Sequence, residues 1–436
     1  MQIIFRSAIL LFFALITKAN DIINADVTID VNNDTINSFH EVSRGAINSF
    51  HEVSRGAINS FHEVSQDWAP ILKDHFLPYE KDGITKVLVD TTILSGSHVV
   101  IQYINKTLSI VDPSGYCFCN NSNYSYDIKF EFHLRRCQAM AHLINETVSL
   151  VHLPDFEFVW SLDDLPVWTV RPKVTHHPMP GFGSIRCWNK GSLSMPFFGS
   201  HQHFDLKSLD SFVYPTEALK HWENRSSKAV FRGGVKRGCS FERDTIVDFN
   251  GDIVFSMVNR TKKCGRHLLL EIANNYPDLV DYHGNNDTWI TLDQQEHLYR
   301  YVISAEGFGG WTDRLMDLIR RSMVVFDQEH PCDQWFEPLL KPHQHYIPIA
   351  HDFRNLAVRV EWANQHPSIL QKIQRQAREF SQTYLSSTGV IAYMYAILRQ
   401  YTQLVKYQPT IRRDAVPINK VWDTKFLNQY CARLNN

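Results

Sequence analysis

An excess of either charge is missing from this chain: 44 Lys and Arg stand against 46 Asp and Glu in 436 residues, a formal net charge of -2 at pH 7. That balance offers no electrostatic handle to nucleic acid or to an anionic membrane surface, so any anion must be met by a local cluster. Long hydrophobic runs are also scarce. One apolar run, Ala8 to Ile16, follows Arg6 and precedes the small residue Ala19, so residues 1–19 read as a signal peptide and no stable membrane span is expected once it is removed. Neither GxxxxGK[ST] nor GxGxxG occurs, which excludes a P-loop and the dinucleotide fingerprint. Cys117 and Cys119 have no second pair at zinc-finger spacing, and His176, His177, His201 and His203 lie apart from carboxylates at ligand spacing. No metal site is expected from these patterns.

What is present belongs to a globular chain. Hydrophobic residues make up 44% and aromatics 12%, enough for a large core, and the length implies two domains. Eight Asn-x-Ser/Thr sequons, beginning at Asn33, Asn105, Asn120, Asn123, Asn145, Asn224, Asn259 and Asn286, point to a secretory lumen. Eight cysteines agree, predicting disulfides whose pairing the sequence leaves open. Residues 36–65 hold nearly three copies of INSFHEVSRGA, starting at Ile36, Ile47 and Ile58. Their 11-residue period gives an apolar stripe on a helix, which Gly45 and Gly56 weaken; segment 20–66 reads as a duplicated linker or stem.

The densest run is Tyr299 to Phe326, YRYVISAEGFGGWTDRLMDLIRRSMVVF. Tyr301, Val302 and Ile303 predict a strand, Gly307, Gly309 and Gly310 a turn, Thr312 or Asp313 the cap of a helix through Arg321, and Met323 to Phe326 the next strand. A glycine turn entering a helix aims unpaired N–H groups at one spot, and Arg314 adds a fixed charge; both suit a diphosphate. An ordinary βαβ crossover uses the same turn without a ligand. In Lys228 to Phe249 a short strand breaks at Gly233 and Gly234, and Lys236, Arg237 and Arg243 follow. Such a group either neutralises a diphosphate or forms a solvated basic turn.

Pro154 to Pro166, PDFEFVWSLDDLP, alternates Phe156, Phe158, Trp160 and Leu162 as a strand does, leaving Asp163 and Asp164 at its carboxyl end. Ligands of open α/β sheets bind there, although an Asx turn or helix cap uses aspartate equally well. Ser184 to Gly199 clusters small and aromatic groups that suit a sugar. Elsewhere VLVDTTIL and HVVIQYIN read as strands, 115–126 as a disulfide-held loop with glycan sites, and Phe130 to Ile144 as a helix. Pro367 to Lys406 reads as one helical region with Ile369, Ile373, Ala377, Phe380 and Tyr384 on its packed face.

In their order, PDFEFVWSLDDLP, SLSMPFFG, FRGG followed by ERD, the 299–326 run and WFEPLLKPHQHYIPI resemble the Rumi-type protein O-glucosyltransferases, a family that includes the fungal capsule-associated (CAP10-like) xylosyltransferases. The resemblance covers roughly residues 70 to 410. It implies an α/β fold of GT-B type, two Rossmann-like domains facing a cleft with C-terminal helices packing back on the first. The divisions are then 67–220 for the acceptor side, 221–395 for nucleotide sugar, and 396–436 for the helical tail. It further implies an inverting, metal-independent transferase without a cofactor, moving glucose or xylose from UDP-glucose or UDP-xylose to a hydroxyl. By the same resemblance the catalytic base falls on Asp164 and the phosphate-binding arginine on Arg314. The basic block falls on Arg232 through Arg243, with Gly233 in its turn and either Lys236 or Arg237 as phosphate partner.

The chemistry agrees with that assignment. An acceptor hydroxyl must lose its proton as it attacks the anomeric carbon, and a carboxylate in reach can take it; Asp163 beside Asp164 would raise the base's pKa. Arginines already in place stabilise the departing UDP without a metal. The expected partners are a nucleotide sugar and a protein or glycan acceptor in the endoplasmic reticulum or Golgi lumen, or outside the cell. A polysaccharide or glycolipid xylosyltransferase is one alternative, and a non-catalytic lumenal protein that binds nucleotide or glycan is another.

Overall fold

The structure is a computed structural model that describes residues 63–94, 98–113, 115, 117–119, 127–161, 181–183, 186–187, 193–196, 209–210, 222–235, 265–284, 290–307, 311–330 and 332–434. The chain separates into Met1–Glu63 and a compact unit, Val64–Asn436. The leader and nearly all of the repeats lie outside the described residues. In the compact unit, Trp68 is fully buried against Trp335, Tyr384 and Tyr393.

Helix α1 (Ala69–Phe76) and helix α2 (Lys86–Leu94) come first. Sequence analysis expects a strand at VLVDTTIL, and the structure makes it α2 instead. Local bonds outweigh β-branching here: Thr85 Oγ1 accepts from Leu88 N at 3.3 Å, Lys86 pairs with Asp90 at 2.9 Å, and the Thr91 and Thr92 hydroxyls donate to carbonyls one turn back. Val89 and Thr92 then face the core.

Strand β1 (His98–Ile104) turns through Asn105 and Lys106, both at positive φ, into β2 (Thr107–Val111). Two left-handed residues make the tight hairpin, with the Asn105 sequon at its exposed tip. Helix α3 (Asp127–Leu150) contains the expected 130–144 helix, and β3 (Phe156–Ser161) follows. All six β3 residues are buried, because β3 lies inside its sheet between β1 and β4 (Gly181–Gly183). With β5 (Arg186–Cys187) set aside, β6 (Leu193–Ser194) completes this side. The sheet is mixed: β3, β4 and β6 run parallel, whereas β1 pairs antiparallel with β2 and β3.

A second sheet follows, built from β7 (Ser226–Val230), helix α4 (Arg266–Asn275), β8 (Val280–Asp281), helix α5 (Leu292–Leu298), β9 (Tyr299–Ser304), helix α6 (Leu315–Arg320) and β10 (Val324–Gln328). After β11 (Cys332–Asp333), which pairs with β5 in a separate ribbon, β12 (Ile347–Ile349) forms the edge. Every pairing in this sheet is parallel, in spatial order β8-β7-β9-β10-β12. Both faces are covered, so β10 is buried at all five residues, as parallel strands require. Tyr301, Ile303, Val324 and Phe326 pack with Leu269 of α4 and with Leu356 and Val360 of helix α7 (Leu356–Gln365).

The expected single helix after Pro367 is two: α8 (Pro367–Tyr384) and α9 (Ser387–Leu404). Ser386 caps α9 by accepting from Gly389 N at 3.2 Å. A Cβ on Gly389 would lie 2.4 Å from the Tyr384 carbonyl oxygen, so the sharp corner needs glycine. On α8 it is Leu370 that is buried with Ile373, Ala377 and Phe380, while Ile369 is 43% exposed.

The C-terminal segments return to the first sheet. Tyr401 of α9 donates to the Glu157 carbonyl at 3.0 Å, and β13 (Ala415–Pro417) pairs with β2 as its outer strand. Arg412 binds the buried Glu157 carboxylate at 2.9 and 3.0 Å and Asp90 at 2.6 Å. Helix α10 (Thr424–Leu434) is tied down by the disulfide Cys119–Cys431, and Cys117–Cys137 closes the expected loop. No helix among the described residues is long and apolar enough to cross a membrane.

Candidate functional site

In chain order the parallel sheet runs 2-1-3-4-5, so the strand order reverses between β7 and β9. Connections there leave toward opposite sides and open a crevice beyond the strands' carboxyl ends, where ligands of such sheets bind. Two sequence-selected segments, Arg232–Gly234 after β7 and Ala305–Gly307 after β9, meet at this point.

The cationic groups divide into one paired with a carboxylate and two held by backbone carbonyls. Arg232 is spent on the fold: its guanidinium donates to the Phe231 and Asp281 carbonyls at 2.9 and 2.8 Å and to Asp281 Oδ1 at 3.0 Å. Tyr299 donates its hydroxyl to the other Asp281 oxygen. Burial works to raise the Asp281 carboxyl, but Tyr299, Arg232 and His283 together hold it below its ordinary value. Burial and the Asp281 bond push the Tyr299 phenol up to about 12. One carboxylate thus joins Arg232 beyond β7, the last residue of β8 and Tyr299, the first residue of β9.

Arg314 donates to the Arg232 carbonyl and stands 5.7 Å over the Phe231 ring. Arg266, the first residue of α4, stands 5.0 Å over the same ring and reaches the carbonyls of Gly234 at 3.3 Å and Ala305 at 3.4 Å. Two guanidiniums therefore bridge the β7 and β9 ends and share one aromatic platform. Gly307 N donates to the Trp311 carbonyl at 2.6 Å. A Cβ on Gly307 would sit 3.3 Å from that oxygen, a tight contact, and 3.7 Å from Arg266 Nη2, an ordinary one.

Glu306, buried between these groups, donates its N–H to Gln328 Oε1 at 2.8 Å. Burial pushes its carboxyl up to about 8 against the opposing pull of His330 and Arg266. Near pH 7 it is mostly neutral and does not repel a phosphate. With Arg232 paired to Asp281 and Asp313 acting on Arg314, the positive charge left to meet an anionic group comes from Arg266 and Arg314.

Gly307, Gly233, Arg232 and Arg314 of the predicted set are brought together. Asp164, Lys236, Arg237, Arg243, Gly309 and Gly310 lie outside the described residues, as do His176, His177, His201 and His203. Helix α6 begins at Leu315, later than the predicted cap, and no side chain caps it. In its six residues the dipole is a minor contributor, and Arg266 and Arg314 supply the charge. Sequence reasoning missed Arg266, Asp281, Tyr299 and Glu306. Only Glu306 carried a signal, an acid directly before the glycine loop.

The fold and this site define an α/β protein with cationic side chains at the strand-order reversal of its parallel sheet. The sequence profile of glycosyl transferase family 90 matches residues 77–424, and the chain belongs to that family. It is similar to the protein O-glucosyltransferases. Protein O-glucosyltransferase 1 of Mus musculus is 25% identical over 308 residues, 64% of this chain and 70% of that protein. Protein O-glucosyltransferase 2 of Danio rerio is 24% identical over 287 residues, 65% of this chain and 54% of that protein. Protein O-glucosyltransferase 3 of Mus musculus is 24% identical over 278 residues, 60% of this chain and 50% of that protein. The chain thus spans about half the length of the latter two.

Proposed function

We propose that this chain is a lumenal, inverting glycosyltransferase that moves glucose or xylose from a UDP-sugar to a serine hydroxyl of a protein acceptor, with no metal ion in the chemical step. The observation that supports it most directly is the pair Arg266 and Arg314 at the strand-order reversal, beside the largely neutral Glu306. As the anomeric bond breaks, charge accumulates on the UDP diphosphate, and guanidiniums held by backbone carbonyls need little reorganisation to stabilise it. Asp164, three positions beyond the end of β3, is proposed as the base that takes the acceptor proton. Membership of a glycosyltransferase family and similarity to protein O-glucosyltransferases support the protein acceptor, while the sequons and disulfides support the lumen.

The test is UDP release from UDP-glucose and UDP-xylose in EDTA, with and without disulfide-rich acceptor modules, and with Asp164→Asn alongside. Turnover that survives EDTA and disappears in Asp164→Asn, with UDP affinity retained, is the expected result. Full activity in the variant would refute the base assignment. Strict dependence on an added divalent ion, in a chain that stays folded in EDTA, would refute the metal-free step.

A further inference from the structure

The segment leaving the carboxyl end of β10 gathers ionisable groups that the transfer chemistry does not use. His330 Nε2 lies 3.3 Å from Glu337 Oε2 and 3.9 Å from Asp327 Oδ2. One ligand-capable atom from each of His330, Asp333 and Glu337 lies within 4.8 Å of the others. These groups are withdrawn from water: the His330 side chain is 6% exposed and that of Glu337 7%.

Three further observations point to an ion among them. The His330 ring approaches the Cys332 carbonyl oxygen through Nδ1 at 2.6 Å. A carbonyl only accepts, so Nδ1 carries a proton and Nε2 is the atom aimed at the carboxylates. A carbonyl on the far ring nitrogen is also how proteins orient a metal-bound imidazole. Asp327 itself is 7% exposed, and its Oδ1 has no hydrogen-bond partner among the described residues. The Ser304 hydroxyl, opposite Asp327 in register, favours the ionised form but brings no charge.

Charge completes the case. Three carboxyl groups face one imidazole. Arg186, opposite Asp333 in the β5–β11 ribbon, is the further cation acting on the group, and it is shared with Asp74 at 2.9 Å. Burial works against ionisation of these carboxyls, and a bound cation is the counter-charge that would let them ionise together.

We propose that His330, Asp333 and Glu337, backed by Asp327, bind one divalent transition-metal ion, Zn2+ or Mn2+, that clamps the turn between β10 and the β5–β11 ribbon. Imidazole with carboxylate oxygens favours these ions over Mg2+ and Ca2+, which prefer all-oxygen shells. The 3.3 Å separation of Nε2 and Oε2 matches two ligands each about 2.0–2.1 Å from a tetrahedral ion. The clamp joins the carboxyl end of β10 to β11, which pairs with β5 and carries the disulfide-bonded Cys332. It has no part in bond breaking, so EDTA weakens the fold while the chemical step remains.

The experiment uses the full, untagged secreted chain, stripped with a chelator and titrated at pH 7 with Zn2+, Mn2+ and Ca2+ by calorimetry and by thermal unfolding. One Zn2+ or Mn2+ per chain is expected, with Ca2+ inert. At 100 times Kd the ion should raise the folded-to-unfolded ratio about 100-fold, about 2.7 kcal/mol. Glu337→Gln and Asp333→Asn, each checked for folding by circular dichroism, should bind the ion at least about tenfold more weakly. Absence of stoichiometric uptake by the unmodified chain overturns the proposal whether or not a variant folds. Equal affinity in both folded variants also overturns it. So does a Glu337→Gln chain more stable than its parent both with and without metal, the behaviour of a cluster that only shares protons.

Discussion

Asp281→Asn isolates the carboxylate at the end of β8 that holds Arg232, beyond β7, and Tyr299, the first residue of β9. The substitution keeps the shape and an acceptor oxygen but removes the charge that faces Arg232, whose side chain is 10% exposed. Breaking a buried pair costs more than the pair was worth, because the surviving charge stays buried; typical costs run about 3–5 kcal/mol. Here the Phe231 and Asp281 carbonyls still hold Arg232 at 2.9 and 2.8 Å, so a loss of about 2–3 kcal/mol is expected. Urea unfolding at fixed pH measures it. The sign with pH follows from the depressed Asp281 carboxyl. Its contribution is fully present above the ordinary carboxylate value of 3.8 and is lost as pH falls through the lower folded value. Parent and variant should therefore differ by a constant amount between about pH 5 and 8 and converge in stronger acid. Arg232→Met in the Asp281→Asn background should recover part of the loss by removing the stranded cation. A difference that persists undiminished into acid, or an Asp281→Asn chain as stable as its parent, would refute the reasoning.

Arg314→Met removes a guanidinium that stands over Phe231 and anchors the Arg232 carbonyl. A charge-assisted bond of about 1.5–3 kcal/mol corresponds to a 10- to 100-fold loss of UDP affinity by calorimetry, and Arg314→Lys should recover only part because it lacks the fork. Unchanged affinity in Arg314→Met would remove this residue from the site. Arg412→Ala strands the Glu157 carboxylate, whose side chain is 2% exposed, and should lower unfolding stability by about 3–5 kcal/mol while releasing the tail strand β13 to proteolysis. A loss below about 1 kcal/mol would show that Gln102 and Tyr407 suffice to hold Glu157.

How much of this could be read from sequence depends on how far apart the interacting groups lie. Strands β9 and β10 were legible because Tyr301, Val302 and Ile303 and then Val324, Val325 and Phe326 declare themselves within a few residues. VLVDTTIL has the same composition, yet Thr85 and the Lys86–Asp90 pair decide for helix, a choice residue preference alone does not make. The disulfide Cys119–Cys431 spans 312 residues, and nothing local marks it. Arg232 was picked out as a cation, but its partner Asp281 lies 49 residues away, so its commitment to the fold was invisible. Asp327, His330, Asp333 and Glu337 meet only because a turn, a short strand and a 3-10 turn fold back on one another.

The source of positive charge at the crevice follows from the same distinction. Sequence placed it both on the backbone N–H groups of a helix N-terminus behind the glycines and on Arg314 with the basic block from Arg232. Helix α6 is one and a half turns long and uncapped, and Arg314 is joined not by Arg232, which is paired with Asp281, but by Arg266 from a separate segment of the chain. Those two share Phe231 and the carbonyls at the ends of β7 and β9, so their alignment depends on the Asp281 junction beneath them. A site built this way couples anion binding to the stability of the strand ends. UDP should therefore protect the β7–β9 junction from hydrogen exchange, and Asp281→Asn should weaken UDP binding without touching the ligand.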